Sequence, residues 1–323
     1  MPRLPLTALC ALVVALYGWS FSQVRQWEGV AESSPIELRS TRRGQAIGGR
    51  PVYEGATQSI RPGSGGFAVQ YGFLNFNQDP LNVRFSIPEK DLFASVTEFG
   101  YFQRELDRML GEFRSTAQQA ARRGASQAQI DAMEQGYKRK RADYLASKGF
   151  RLVGDHQVEV DMRTLVRRNA PRMRGLARLF EQLAFQKKYD SEDVIGAVVS
   201  MLQTSLYYRE PSPSEGERHI GGLLPPVEAL SRGWADCDSK TGTTASILTN
   251  WDRIKAIGVA LPAHYLMGVY QNPRHGDVYV DYQGLTYVLI EPVGPAHLPI
   301  GTIGRESMEA LQSSQGFGID VFS

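Results

Sequence analysis

The sequence predicts a fold that mixes α-helices with short β-strands. Three observations predict it: helical periodicity between Phe102 and Ser147, an apolar helical stripe from Val194 to Leu206, and a series of short β-like runs between Ile257 and Ile290. The 323 residues are 42% hydrophobic and 22% charged, an ordinary globular composition with length for one large or two modest cores. Lys and Arg number 36 against 34 Asp and Glu. No bulk charge therefore draws the chain onto nucleic acid or lipid, and no nucleic-acid partner is expected.

At the N-terminus, Met1, Pro2 and Arg3 precede an apolar run from Leu4 to Tyr17, and Ser20-Phe21-Ser22 gives a small-x-small pattern. This order predicts a signal peptide over residues 1–22, cleaved after Ser22, and an exported protein, periplasmic or secreted. Left uncleaved, the apolar stretch approaches the ~18 residues that span a bilayer and would associate the protein with a membrane. The two cysteines of the sequence are Cys10 and Cys237. Once the signal is removed Cys237 stands alone, so it is either a buried small hydrophobe or a reactive thiol.

Residues 23–66 are polar and rich in Gly, Ser, Pro and Arg without a sustained period, and are expected to form a linker or loosely docked arm. Residues 67–161 form an accessory region. It opens with β-rich runs at Phe67–Tyr71 and Val83–Ile87; then Phe102, Leu106, Met109, Leu110 and Phe113 mark the apolar face of a long helix. Gly124 breaks that helix, Ser126 can cap a second one running to about Ser147, and Gly149 closes it. The run Lys138 to Arg141 reads as a solvated helix face. A strand is expected around Phe150–Asp161.

Residues 162–323 hold the chemistry. Two helices open this stretch, the second beginning at Asp190 or Ser191, with Val194, Ile195, Val198, Val199, Leu202 and Leu206 on one buried stripe. A loop rich in Pro and Gly, Pro211 to Pro226, follows. Gly233-Trp234-Ala235-Asp236-Cys237-Asp238-Ser239-Lys240 then reads as a loop turning into a helix at the cysteine and running to about Asn250. A thiol at a helix N-terminus lies among unpaired N–H groups at the positive end of the dipole, which favours thiolate. Asp236 and Asp238 oppose this if their charges face the sulfur, so both side chains are expected to turn away or to hold loop amides.

Beyond a strand near Ile257, His264 starts a β-like run to Tyr270, and Leu285–Ile290 ends in Glu291-Pro292. The order is a thiol on a helix, a histidine opening a strand and a carboxylate closing a later one. A thiol nucleophile needs a base, and the base needs a third group to fix its tautomer and hold the imidazolium. Cys237, His264 and Glu291 are the candidates.

The Trp234–Lys240 run, the strand opened by His264 and the segment Tyr287–Pro295 resemble the bacterial transglutaminase-like domain of the papain superfamily, over roughly residues 189–300. The resemblance implies an α+β fold with a papain-like core, a cysteine helix packed on a small antiparallel sheet; the helical periodicity upstream adds a mostly helical N-terminal extension. It also implies a Cys-His-Glu catalytic triad acting on a peptide or protein substrate, as a cysteine peptidase or amidase or by transfer to an amine. The alternative is an inactive scaffold that binds a peptide or envelope component. Gln203, on the helix before the cysteine, and Trp234 are oxyanion or cleft candidates by the same resemblance; a helix-surface or capping amide is the other reading of Gln203.

The carboxylate carries a geometric condition. If the runs at His264, Asp277 and Leu285 form a simple meander, His264 falls opposite Asp281 or Tyr282, and Asp281 becomes the alternative orienting group. For Glu291 to meet His264, residues 271–283 must make an excursion that lets the third run pair directly with the first. The family pattern favours that pairing. His156, His219, His275 and His297 show no metal-ligand spacing with a cysteine, and neither a phosphate loop nor a dinucleotide fingerprint is present, so no metal or cofactor is expected.

Overall fold

The computed structural model describes residues 55–323 except 155–156, 295–296, 315 and 323. The expected signal peptide, Cys10, residues 23–54 of the arm, and His156 lie outside the described residues. The described chain is α+β, with eight helices and several small sheets.

β1 (Thr57–Gly63), β2 (Gly66–Leu74) and β3 (Pro80–Pro88) form an antiparallel meander. Here the expected arm is corrected, because its last residues are a strand in register with β2 from Thr57↔Gly72 to Gly63↔Gly66. As an edge strand β1 buries Ile60 and leaves most of its other side chains exposed or half-buried, so it shows little apolar alternation. It is tied inward instead by Gln58, whose Nε2 donates to the carbonyls of Ser205 (2.9 Å) and Gly233 (3.0 Å). Gly233 has φ +72°, and a Cβ there would lie 2.0 Å from Gln58 Oε1, so glycine is required at that approach.

After α1 (Glu89–Thr97) and the short β4 (Tyr101–Phe102), α2 (Gln103–Arg122) and α3 (Gln127–Ser147) form the expected helical hairpin. Gly124 turns the chain at φ +82°, and Ser126 and Gln129 close a reciprocal capping box. Phe113 stacks on Tyr137 with centroids 5.1 Å apart. Leu106 and Leu145 are the buried side chains of the pair, so the hairpin is anchored at its base. The strand expected at Phe150–Asp161 is a hairpin, β5 (Phe150–Val153) and β6 (Gln157–Val160), turned after Gly154 at φ +61°.

α4 (Met162–Lys187) and α5 (Ser191–Ser205) follow, the latter capped by Asp190. From α4, Arg168 donates to the carbonyls of Glu98, Ala146 and Ser147, placing a cation at the C-terminal ends of α1 and α3. β7 (Tyr207–Tyr208) precedes the expected loop, β8 (Ser214–Glu215) and β9 (Arg218–His219) form a short ladder within it, and α6 (Pro226–Arg232) begins at its end. β10 (Trp234–Ala235) pairs parallel with β7 and delivers the chain into α7 (Cys237–Leu248).

α7 is buried from Ser239 to Leu248 and packs against α4, α5, α6 and the first part of the final sheet. Its sequence, Ser-Lys-Thr-Gly-Thr-Thr-Ala-Ser, is polar for so enclosed a helix. The hydroxyls of Thr243, Thr244 and Ser246 donate to the carbonyls four residues back at 2.7, 2.8 and 2.7 Å, so each is satisfied without solvent. Small side chains then allow close approach to the neighbouring helices. One buried apolar cluster contains residues of β1–β3, α4–α7, β12 and β14, so the core crosses the expected boundary between residues 161 and 162.

The last sheet contains β11 (Ala256–Leu261), β12 (His264–Tyr270), β13 (Tyr279–Tyr282), β14 (Leu285–Ile290) and, after α8 (Arg305–Leu311), β15 (Gly318–Val321), in the antiparallel order β13-β14-β12-β11-β15. β14 pairs directly with β12 from Met267↔Ile290 to Tyr270↔Tyr287. β13 lies outside β14, so the simple meander is excluded and the excursion over residues 271–283 is present. Asp281 is paired with Thr286 and accepts its hydroxyl at 2.6 Å, which removes it as the orienting group. Among the described residues no helix is long and apolar enough to cross a membrane.

Candidate active site

Asp236 is the N-cap of α7, and its carboxylate accepts the Ser239 N–H at 3.1 Å. Ser239 Oγ in turn accepts the Leu224 N–H at 2.8 Å, fixing the helix start against the chain entering α6. Cys237 is thus the first helical residue, as expected, and it is half-buried. One turn on, Thr241 Oγ1 donates to the carbonyl of Tyr265 at 3.0 Å, and the Tyr265 backbone acts to lower the thiol pKa. The cysteine helix is thereby tied to the residue next to His264.

The antiparallel pairing of β12 with β14 sets His264 and Glu291 at the same end of the sheet. His264 Nε2 lies 2.9 Å from Glu291 Oε1. The carboxylate is an acceptor, so Nε2 carries the proton and Nδ1 is the basic nitrogen of the neutral ring. Glu291 is 4% exposed, and its second oxygen accepts the Ser307 hydroxyl of α8 at 2.7 Å. Burial opposes protonation of His264, but the Glu291 hydrogen bond and charge outweigh it, with Asp238 and Glu306 adding to them. The imidazole is left above its ordinary value.

Gln203 departs from both of its expected roles. It is 0% exposed, its Nε2 donates to the carbonyls of Glu291 (2.5 Å) and Leu298 (2.9 Å), and its Oε1 accepts the Leu298 N–H at 3.1 Å. With both ends of the amide engaged, it clamps the peptide that carries Glu291 and is neither an oxyanion donor nor a surface cap. Gly294 completes the clamp: a Cβ there would lie 1.8 Å from the Gln203 carbonyl oxygen. Trp234 is half-buried on β10, with the guanidinium carbons of Arg209 and Arg232 4.7 and 5.5 Å from its ring centroid. It forms a stacked platform before the cysteine, and that contact gives no support to a donor role.

Three further groups escaped the sequence reading. Lys240 is 0% exposed and donates from Nζ to the Leu206 carbonyl at 2.9 Å, joining the first turn of α7 to the start of β7. Burial lowers its pKa to about 7, although Asp236 and Glu291 act in the other direction. Tyr208, 47% exposed and opposite Ala235 in the β7–β10 ladder, has its phenol raised by burial and then by Cys237. Ser307 lies in a helix with no motif. Lys240 had a signal in the sequence, a lysine inside a helix whose every side is small or apolar.

The thiol itself differs most from expectation. Asp236 holds an amide, as anticipated, but Asp238 faces the sulfur: Cys237 Sγ donates to Asp238 Oδ1 at 3.2 Å. Burial pushes the thiol up, and the charges of Asp238 and Asp236 push it further. The helix N-terminus does not prevail over two adjacent carboxylates, so the expected low thiol pKa is corrected for this arrangement. Burial also raises Asp238, opposed by its bond to Cys237 and by the charge of His264, and raises Asp236 to about 6. Donor atoms of Asp236, Cys237 and Asp238 lie within 4.8 Å of one another, but Asp236 is engaged with Ser239 and the thiol with Asp238, so no metal is assigned to them. Compared with known proteins, the chain matches no family model, no curated protein and no solved structure.

Proposed function

We propose that the chain is an exported thiol-dependent acyl-transfer enzyme of the transglutaminase-like type with a papain-like core, most simply a peptide or amide hydrolase. The observation that carries this reading is the 2.9 Å contact between His264 Nε2 and Glu291 Oε1 at the sheet end that the cysteine helix reaches through Thr241 and the Tyr265 carbonyl. Burial, a fixed tautomer and a raised imidazole are what a base serving a thiol requires.

In this reading the Cys237 proton passes to Nδ1 of His264 and the thiolate attacks the carbonyl of a peptide or amide bond. The C–N bond breaks as the imidazolium returns the proton to the leaving amine. Water, or a second amine in transamidation, then takes the acyl group from sulfur. Glu291 holds the imidazolium throughout, while Ser307 and Gln203 fix the carboxylate and its peptide. Tyr208, 47% exposed on the strand that pairs with β10 just before the cysteine, is an aromatic side chain open to a peptide. Release of quenched fluorophore from a labelled protein such as casein should depend on Cys237 and His264, falling by at least about a hundredfold in Cys237→Ser and His264→Ala. Equal rates in wild type and both variants would reject the reading.

A second reading has one observation in its favour. The thiol is bonded to Asp238, and burial and the Asp238 and Asp236 charges favour its neutral form, as a scaffold that binds peptides without turnover would allow.

A further inference from the structure

Three ionisable groups, Asp238, Asp236 and Tyr208, interact with the sulfur. Asp238 Oδ1 accepts the Cys237 S–H at 3.2 Å, and the Asp238 charge also acts on His264 and on Tyr265. Cys237 raises the Tyr208 phenol on β7, and the charge of Asp236 at the helix cap raises the thiol. His264 is faced by Glu291 beyond β14, by Asp238 on α7 and by Glu306 on α8. Beneath them Lys240 is the buried cation, directed at the Leu206 carbonyl and facing Asp236 and Glu291.

We propose that Asp238 is a further residue of the acyl-transfer site, a carboxylate that holds Cys237 as a thiol by accepting its S–H and must release that contact before the sulfur can use His264. This rests on the proposed thiol chemistry and adds the step that precedes it. While Asp238 is charged and in contact, a thiolate would stand within hydrogen-bond distance of a like charge in a partly desolvated site, an arrangement that strongly disfavours ionisation. The same charge favours the imidazolium. Once the contact opens, the S–H bond breaks and an N–H bond forms at Nδ1 of His264. The resulting cation lies among Glu291, Glu306 and Asp238. Asp238 therefore opposes the nucleophile at rest and stabilises its proton acceptor afterwards. Asp236, one residue before the cysteine, cannot substitute, because its carboxylate is fixed on the Ser239 N–H.

The test is the pH dependence of Cys237 alkylation by iodoacetamide, followed by peptide mass, in wild type, Asp238→Asn and Asp238→Ala, with circular dichroism and thermal midpoints reporting the fold. Position 238 is not the helix cap, so both variants should retain α7. Wild type should label with a midpoint above the ~8.5 of a free thiol. Both variants should shift the midpoint down by about one unit or more, with about tenfold faster labelling at pH 7. An unchanged or raised midpoint in both would overturn the proposal. Adding His264→Ala to Asp238→Asn separates this claim from the triad. If Asp238→Asn accelerates labelling and His264→Ala has no effect in that background, the contact is established and the Cys-His pair fails. If Asp238→Asn does not accelerate labelling while His264→Ala slows it, the pair stands and the role of Asp238 is rejected.

Discussion

Glu291 Oε1 and His264 Nε2 stand 2.9 Å apart although 27 residues separate them in the chain, because β14 pairs directly with β12 and leaves β13 outside. If this contact orients the base, Glu291→Gln should lower kcat by about 10²- to 10⁴-fold, since an amide can present its N–H to the ring and reverse the tautomer. Asp281→Asn should leave kcat within about twofold, because Asp281 lies on the outer strand β13 and accepts the Thr286 hydroxyl.

The same contact has a pH signature in stability. His264 is raised in the folded state, so its stabilisation is fully present below the ordinary histidine value and is lost as pH rises through the folded one. The Glu291→Gln variant should lack that slope. Urea midpoints at pH 5.5 and pH 8, wild type against variant, measure it; parallel profiles would show that the pair adds nothing to the fold.

How much of this could be read from the sequence depends on whether a feature is local. The Cys237 helix start, the strand opened by His264 and the capped hairpin at Gly124–Ser126 rest on spacing within a few residues and are found where expected. β1 was missed because its edge position buries little apart from Ile60, and α6 because Pro225-Pro226 reads as a loop although Pro226 opens the helix. The place of Gln203 is hidden in the sequence for a different reason. Its partners, Glu291 and Leu298, are about ninety residues away, and nothing local distinguishes a clamp from a cleft amide. The direction of Asp238 was the hardest to read, since both acids flanking the cysteine could turn either way and only the tertiary fit decides.

Gln203 should therefore matter to stability before chemistry. Gln203→Ala strands the Glu291 carbonyl and both backbone groups of Leu298, and each buried group left unpaired costs about 1–3 kcal/mol. The variant should lose several kcal/mol in urea denaturation, and its remaining folded fraction should keep the pH dependence of the wild-type reaction. A normal midpoint with altered pH dependence would return Gln203 to the cleft.

Lys240 gives a slope of the opposite kind. Its folded pKa, about 7, lies below the unfolded lysine value of about 10.5, so between these the unfolded chain binds more protons and stability rises with pH. Lys240→Met keeps the buried stem without the charge. Urea midpoints at pH 7 and pH 9.5 should differ less in the variant than in wild type by the loss of this rise. Equal slopes would mean that Lys240 does not carry its charge differently in the two states.

The most direct measurement of the central claim is capture of an acyl-enzyme on Cys237. Mixing the protein with a nitrophenyl ester of a short peptide should release one equivalent of nitrophenol in a burst, and the Cys237 peptide should gain the acyl mass. The burst should be lost in Cys237→Ser and slowed by at least about a hundredfold in His264→Ala. Absence of an adduct in wild type, or an adduct formed equally fast without His264, would contradict a thiol acyl-transfer site at these residues.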